Sequence, residues 1–171
     1  MTESQYLLDI FERNQFDQVY HEHIRLYSLK SLVTLFPYYG MEVFDVERTT
    51  EREGSIRAYA GWKGQHPISP AVGKLLKEEE RVGLFKPATW AKFRERVNKQ
   101  REAFIKLANT AKQKGQRFVA DSCPGRGAVL VNYYNIDKTL MPYIAQLPSE
   151  KIGKYLPGAH IPIVDNKILL K

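Results

Sequence analysis

The sequence predicts an α/β fold in two parts, and three observations carry the expectation. A strand, helix, strand, strand succession occupies the first third of the chain, as in the closing half of an α/β sheet. Two prolines in HPISP (66–70) mark a change of composition. Beyond a long helical segment, RFVADS, a glycine-bearing turn and AVLVNYYNI repeat the strand-turn-helix order of half a Rossmann-like unit.

Taken in order, SQYLLDIFER (4–13) reads as a helix whose Leu7, Leu8, Ile10 and Phe11 form a rough apolar stripe. FDQVY (16–20) reads as a short strand. Ser28 is placed to cap a helix over 29–39, which Gly40 would end. MEVFDVE (41–47) and GSIRAYAGW (54–62) read as strands. Ser69 and Pro70 open a helix that runs to about Val82, and Pro87 opens a longer one. In the latter, Trp90, Phe93, Val97, Phe104, Leu107 and Ala111 recur three or four apart, with Gln100 the polar member of the seam and Gly115 the stop. MPYIAQL (141–147) and HIPIVD (160–165) are further strand candidates, joined by the loop SEKIGKYLPGA. The boundary expected from this reading separates 1–66 from 67–171.

The 171 residues are 43% hydrophobic and 12% aromatic, enough to bury a core. No run approaches the ~20 apolar residues of a membrane span. The N-terminus lacks the features of a secretory signal, and Cys123 stands alone, so no internal disulfide framework exists. A soluble, cytoplasmic protein is expected. The net charge of +7 is local: residues 71–117 hold thirteen basic and five acidic side chains. With no zinc finger, RNP motif or basic zipper, those charges suit a solvated helix face or a few phosphates better than nucleic acid.

Two places could carry chemistry. Tyr20-His21-Glu22-His23 follows the expected strand 16–20, where ligands of open α/β sheets collect. A histidine there can act as general base, a glutamate can orient or stabilise it, and a tyrosine can donate to a developing oxyanion. A polar loop with solvated histidines is the plain alternative. His-x-His with Asp17 or Glu22 falls short of a metal site, and none is expected. The second place is Ser122-Cys123-Pro124-Gly125-Arg126-Gly127, which resembles a phosphate-cradling turn but lacks both dinucleotide and P-loop fingerprints.

Five segments in order, LLDIFERNQFDQVYHEHIRLYSLKSL, GMEVFDVERTTEREGSIRAYA, ISPAVGKLLKEEE, CPGRGAVLVNYYNI and GKYLPGAHIPI, cover almost the whole chain. Together they resemble the C-terminal part of S-adenosylmethionine-dependent sugar C-methyltransferases, which methylate ring carbons of nucleotide-linked keto-deoxysugars. The resemblance implies that residues 1–66 close a Rossmann-like methyltransferase sheet. A helical segment and the start of a second Rossmann-like domain would then occupy 67–171. It implies His23 as catalytic base with Tyr20 and Glu22 beside it, and Gly125, Arg126 and Gly127 as substrate contacts.

It further implies S-adenosylmethionine as cofactor and a nucleotide-linked sugar as partner, in deoxysugar biosynthesis. The family's cysteine motif for zinc and its glycine-rich cofactor loop are absent here, so the chain is expected to be trimmed at both ends. It would then depend on a separate cofactor-binding domain or self-associate through exposed edges. Glu53-Gly54 stands where Gly-Gly is usual, and Gly125-Arg126-Gly127 where Ala-Lys-Gly is usual. Without catalysis, the same features would make a nucleotide-sugar binding module.

Overall fold

The computed structural model describes residues 1–170, except for the side chain of Arg52. It is a mixed α/β structure with two small three-stranded sheets, and it divides into two compact units. The first is Met1–Phe16 with Glu22–Val97; the second is Asp17–His21 with Asn98–Lys171. Compactness therefore parts the chain inside its longest helix, downstream of the composition change at 66–70.

In the first unit, β1 (Thr2–Gln5), β2 (Met41–Thr49) and β3 (Ser55–Trp62) form an antiparallel sheet in the order β1-β3-β2. Its register pairs Thr2 with Ala58 and Gln5 with Ser55 on one side, and Met41 with Trp62 and Thr49 with Ser55 on the other. The core behind it includes Tyr6, Leu8, Leu29, Leu32, Val43, Val46, Ile56, Ala58, Val72 and Leu75. These come from the sheet and from α1 (Leu7–Glu12), α2 (Leu29–Leu35) and α3 (Pro70–Val82). Alternation delivers the strand residues and the three-to-four spacing delivers the helical ones.

The helix punctuation was legible. Ser28 caps α2 through a full capping box with Ser31, and Ser69 accepts from Ala71 N with Pro70 at the first turn of α3. Gly40, Gly83 and Gly115 take left-handed conformations where their helical segments end. The expected helix 29–39 becomes α2 followed by a 3-10 turn, Phe36–Tyr39.

Two expectations in the first twenty residues are corrected. The helix expected over 4–13 is confined to α1, because Ser4 and Gln5 belong to β1 and pair with β3. The strand expected at FDQVY is a 3-10 turn, Phe16–Gln18, followed by a bend. Among the described residues no sheet strand pairs with it; Asn14 at φ 58 turns the chain out of α1, and Gln18 is buried in the turn.

The long helix α4 (Pro87–Gln113) contributes its first part to one unit and its remainder to the other. Its buried positions are Val97 and Ala108, and residues 98–103 between them are exposed, as is Leu107, expected in the seam. Ala108 takes that place. In the second unit, β4 (Ala120–Asp121), β5 (Ile144–Gln146) and β6 (Ile163–Asp165) form a parallel sheet in sequence order, with α5 (Gly125–Tyr133) crossing from β4 to β5. The strand expected over 117–122 is reduced to two residues. Among the described residues no helix is long and apolar enough to cross a membrane.

Candidate functional site

His23 lies in the irregular segment before α2. Backbone contacts hold the end of that segment against the first sheet. Leu7 N donates to Tyr27 O at 2.9 Å, and Tyr6 and Tyr27 form a parallel bridge. Ser28 then begins α2. The N-terminal donors of α2 are taken up one by one: Leu29 N and Lys30 N donate to the Glu79 carboxylate at 2.6 and 3.1 Å, and Ser31 N donates to Ser28 Oγ at 3.0 Å. Glu79 is fully buried and also accepts from Tyr6 Oη at 2.9 Å. Burial and the adjacent carboxylate push the Tyr6 phenol far up from its ordinary value, so it stays a donor.

The result is a polar cleft of about 540 Å³ lined by Glu3, Ser4, Gln5, Glu22, His23, Ile24, Arg25, Glu51 and Ser55. His23 is half-buried and Glu22 exposed, so the imidazole opens onto the cleft and is not enclosed in an apolar core. It does not stand at the tip of its own strand, because that strand does not form. It lines the cleft together with Ser4 and Gln5 from the carboxyl end of β1.

Ser4 Oγ and Gln5 Oε1 are enclosed there with no hydrogen-bond partner among the described residues. Enclosed polar atoms without a partner are rare and concentrate where a ligand or strain accounts for them. Glu3 and Glu51 are held from the sheet by Arg57, at 2.6 Å to Nε and 3.5 Å to Nη2. Sequence reasoning missed Glu3, Ser4, Gln5, Glu51 and Ser55. The signal that finds them is the β1–β3 register, with Glu3 opposite Arg57 and Gln5 opposite Ser55.

Tyr20 is not among the residues lining the cleft. It belongs to Asp17–His21, the segment counted with the second unit, and its ring meets the His21 ring edge-on at 5.5 Å.

In the second unit, Gly125, Arg126 and Gly127 are the first residues of α5. The expected cradle is thus the first helical turn, closed by Gly127 N donating to Pro124 O at 3.0 Å. Arg126 Nε and Nη2 both donate to Asp17 Oδ2, at 2.9 and 2.6 Å. The turn ahead of the helix is committed as well. Cys123 N donates to Gln146 Oε1, and Lys151 Nζ donates to Cys123 O, each at 2.7 Å. Burial raises the Cys123 thiol above its ordinary value, which leaves it a weak nucleophile. Beside this turn an apolar cavity of about 350 Å³ is lined by Phe104, Phe118, Leu130, Met141, Ile144 and others.

Residues 51–171 match the model of a protein family described as the C-methyltransferase C-terminal domain. The chain is also similar to the C-methyltransferase NovU of Streptomyces niveus, at 32% identity over 159 residues, covering 92% of this chain and 38% of that protein. It thus spans well under half the length of the curated relative it matches.

Proposed function

This chain belongs to the C-methyltransferase C-terminal domain family, and from that premise we propose that it is part of an S-adenosylmethionine-dependent enzyme that methylates a ring carbon of a nucleotide-linked keto-deoxysugar, with His23 as general base. The observation that carries the reading is the cleft itself. A half-buried imidazole shares a polar hollow with Glu22, Ser4 and Gln5.

The chemistry begins at a C–H beside the keto group. His23 takes that proton onto a ring nitrogen, and the bonding pair moves through the carbon framework to the carbonyl oxygen, giving an enolate. The step needs the base within about 3 Å of the proton's carbon and donors aimed at the developing oxyanion. Glu22 stabilises the imidazolium. Tyr20 is the oxyanion donor in this reading, and Gly125, Arg126 and Gly127 are contacts to the nucleotide-linked substrate. Residues 1–66 are read as the last part of a methyltransferase domain and 67–171 as the start of the C-terminal one, although the family match itself begins at residue 51. A cytoplasmic setting belongs to the same reading.

The residues of the cleft do not fit the methyl donor. Among the described residues that line it, Ile24 is the one apolar side chain, too little for an adenine ring. They fit the substrate half of the reaction, and proton removal is the part these side chains perform.

Solvent exchange isolates that part. With this chain grafted in place of the matching segment of the Streptomyces niveus relative, deuterium from solvent should enter the carbon beside the keto group. His23→Ala should slow the exchange by about 10²–10⁴, the usual contribution of a positioned base. Unchanged exchange in His23→Ala would remove the base assignment, and substrate binding without exchange in the unsubstituted graft would favour the non-catalytic binding module.

A further inference from the structure

The charges of the His23 cleft do not cancel evenly. Three carboxylates line it, Glu3, Glu22 and Glu51, and two of these, Glu3 and Glu51, share the single guanidinium of Arg57 with Glu47. Arg25 lines the same cleft, is exposed, and makes no hydrogen bond or ion pair among the described residues. A guanidinium offers a planar fork of donors that fits phosphate oxygens two at a time and stays charged at any working pH. Residues two apart in the chain have α-carbons at most about 7 Å apart. His23 and Arg25 are therefore spaced to reach two places on one sugar: a ring carbon, and the phosphate carried on its anomeric oxygen.

We propose that Arg25 anchors the sugar-side phosphate of a nucleoside-diphosphate-linked substrate and so holds the ring carbon against His23. The proposal rests on the cleft being the catalytic site. Arg25 is a positioning residue in this scheme. Its exposure makes the contact sensitive to salt, because a pair open to water is screened within about 10 Å at 0.1 M ionic strength.

Inorganic pyrophosphate is the probe, titrated at low salt into the intact chain while backbone and imidazole NMR signals are followed. Shifts should appear at His23–Tyr27 and Glu51, fade as salt is raised, and weaken at least tenfold in apparent affinity in Arg25→Ala, with Arg25→Lys intermediate. Equal shifts in Arg25→Ala, or none at His23–Tyr27 in the unsubstituted chain, overturn the anchor. In the exchange assay, Arg25→Ala should raise KM for the nucleotide sugar about tenfold with kcat within about threefold, a split that a merely structural residue would not produce. The two readings fail separately. If His23→Ala still exchanges while Arg25→Ala loses pyrophosphate, the base is wrong and the anchor stands. If His23→Ala is inert while Arg25→Ala keeps both pyrophosphate affinity and KM, the anchor is wrong and the base stands.

Discussion

At the residue scale, the hairpin between β2 and β3 turns on two neighbours with opposite requirements. Gly54 sits at φ 127, and a β-carbon there would lie 2.5 Å from Asp9 Cγ. Asp9 is buried and cannot retreat, because Arg48 holds it at 2.9 and 3.2 Å and Arg13 at 3.2 Å. Glu53, immediately before, is at φ 70, a left-handed conformation that costs a residue with a β-carbon about 1–2 kcal/mol. The two substitutions should therefore differ in sign. Urea denaturation should show Gly54→Ala destabilising by about 3 kcal/mol, from strain plus displacement of a buried ion pair. Glu53→Gly, which relieves the left-handed strain, should stabilise by up to about 1 kcal/mol. The hairpin also supplies Glu51 and Ser55 to the cleft, so this local geometry bears on the site.

At the element scale, α2 is only seven residues long and depends on its N-terminus being satisfied. Glu79 does this from α3, across 50 residues of sequence, and takes the Tyr6 hydroxyl as well. Glu79→Ala leaves three donors facing a space without an acceptor and should cost about 3–5 kcal/mol by thermal or chemical denaturation. Glu79→Gln keeps one acceptor and should cost about half as much. Tyr6→Phe in the Glu79→Ala background should recover part of the loss, because it removes one stranded hydroxyl. The segment carrying His23 enters α2 directly, so losing the cap should loosen His23 as well as the helix.

The same contrast explains what could be read ahead of the structure. Signals that act over four residues, Ser28, Ser69-Pro70 and the closing glycines, placed helix ends correctly. A four-residue strand such as β1 has no such signal; its state is decided by Ala58 and Ser55, fifty or more residues away. FDQVY has strand composition but, among the described residues, no strand beside it, so it turns. The site divides in the same way. Glu22 and His23 were visible as neighbours in the sequence, whereas Ser4, Gln5 and Glu51 enter the cleft only through sheet register.

At the scale of the whole molecule, the two units draw on unequal resources. The first has strands of four, nine and eight residues and a contiguous core from Tyr6 to Leu84. The second has strands of two, three and three residues, with burial spread over Ala108, Val131, Tyr134, Ile144, Leu156 and Ile161. Short ladders supply few hydrogen bonds to a cooperative unit, so its local unfolding free energy should be the lower. The chain carries its own reporter of this difference. Both tryptophans, Trp62 and Trp90, fall in the first unit. Trp90 is the informative one, donating from Nε1 to Leu84 O at 2.7 Å and packing edge-on against Phe11. Far-UV dichroism sums helices from both units. In a urea titration the dichroism should therefore begin to fall at a lower concentration than the tryptophan emission shifts, with the early loss reporting α5 and the end of α4. Superimposable curves would mean that the exposed stretch 98–103 of α4 does not part the molecule energetically, and that both units melt as one two-state body.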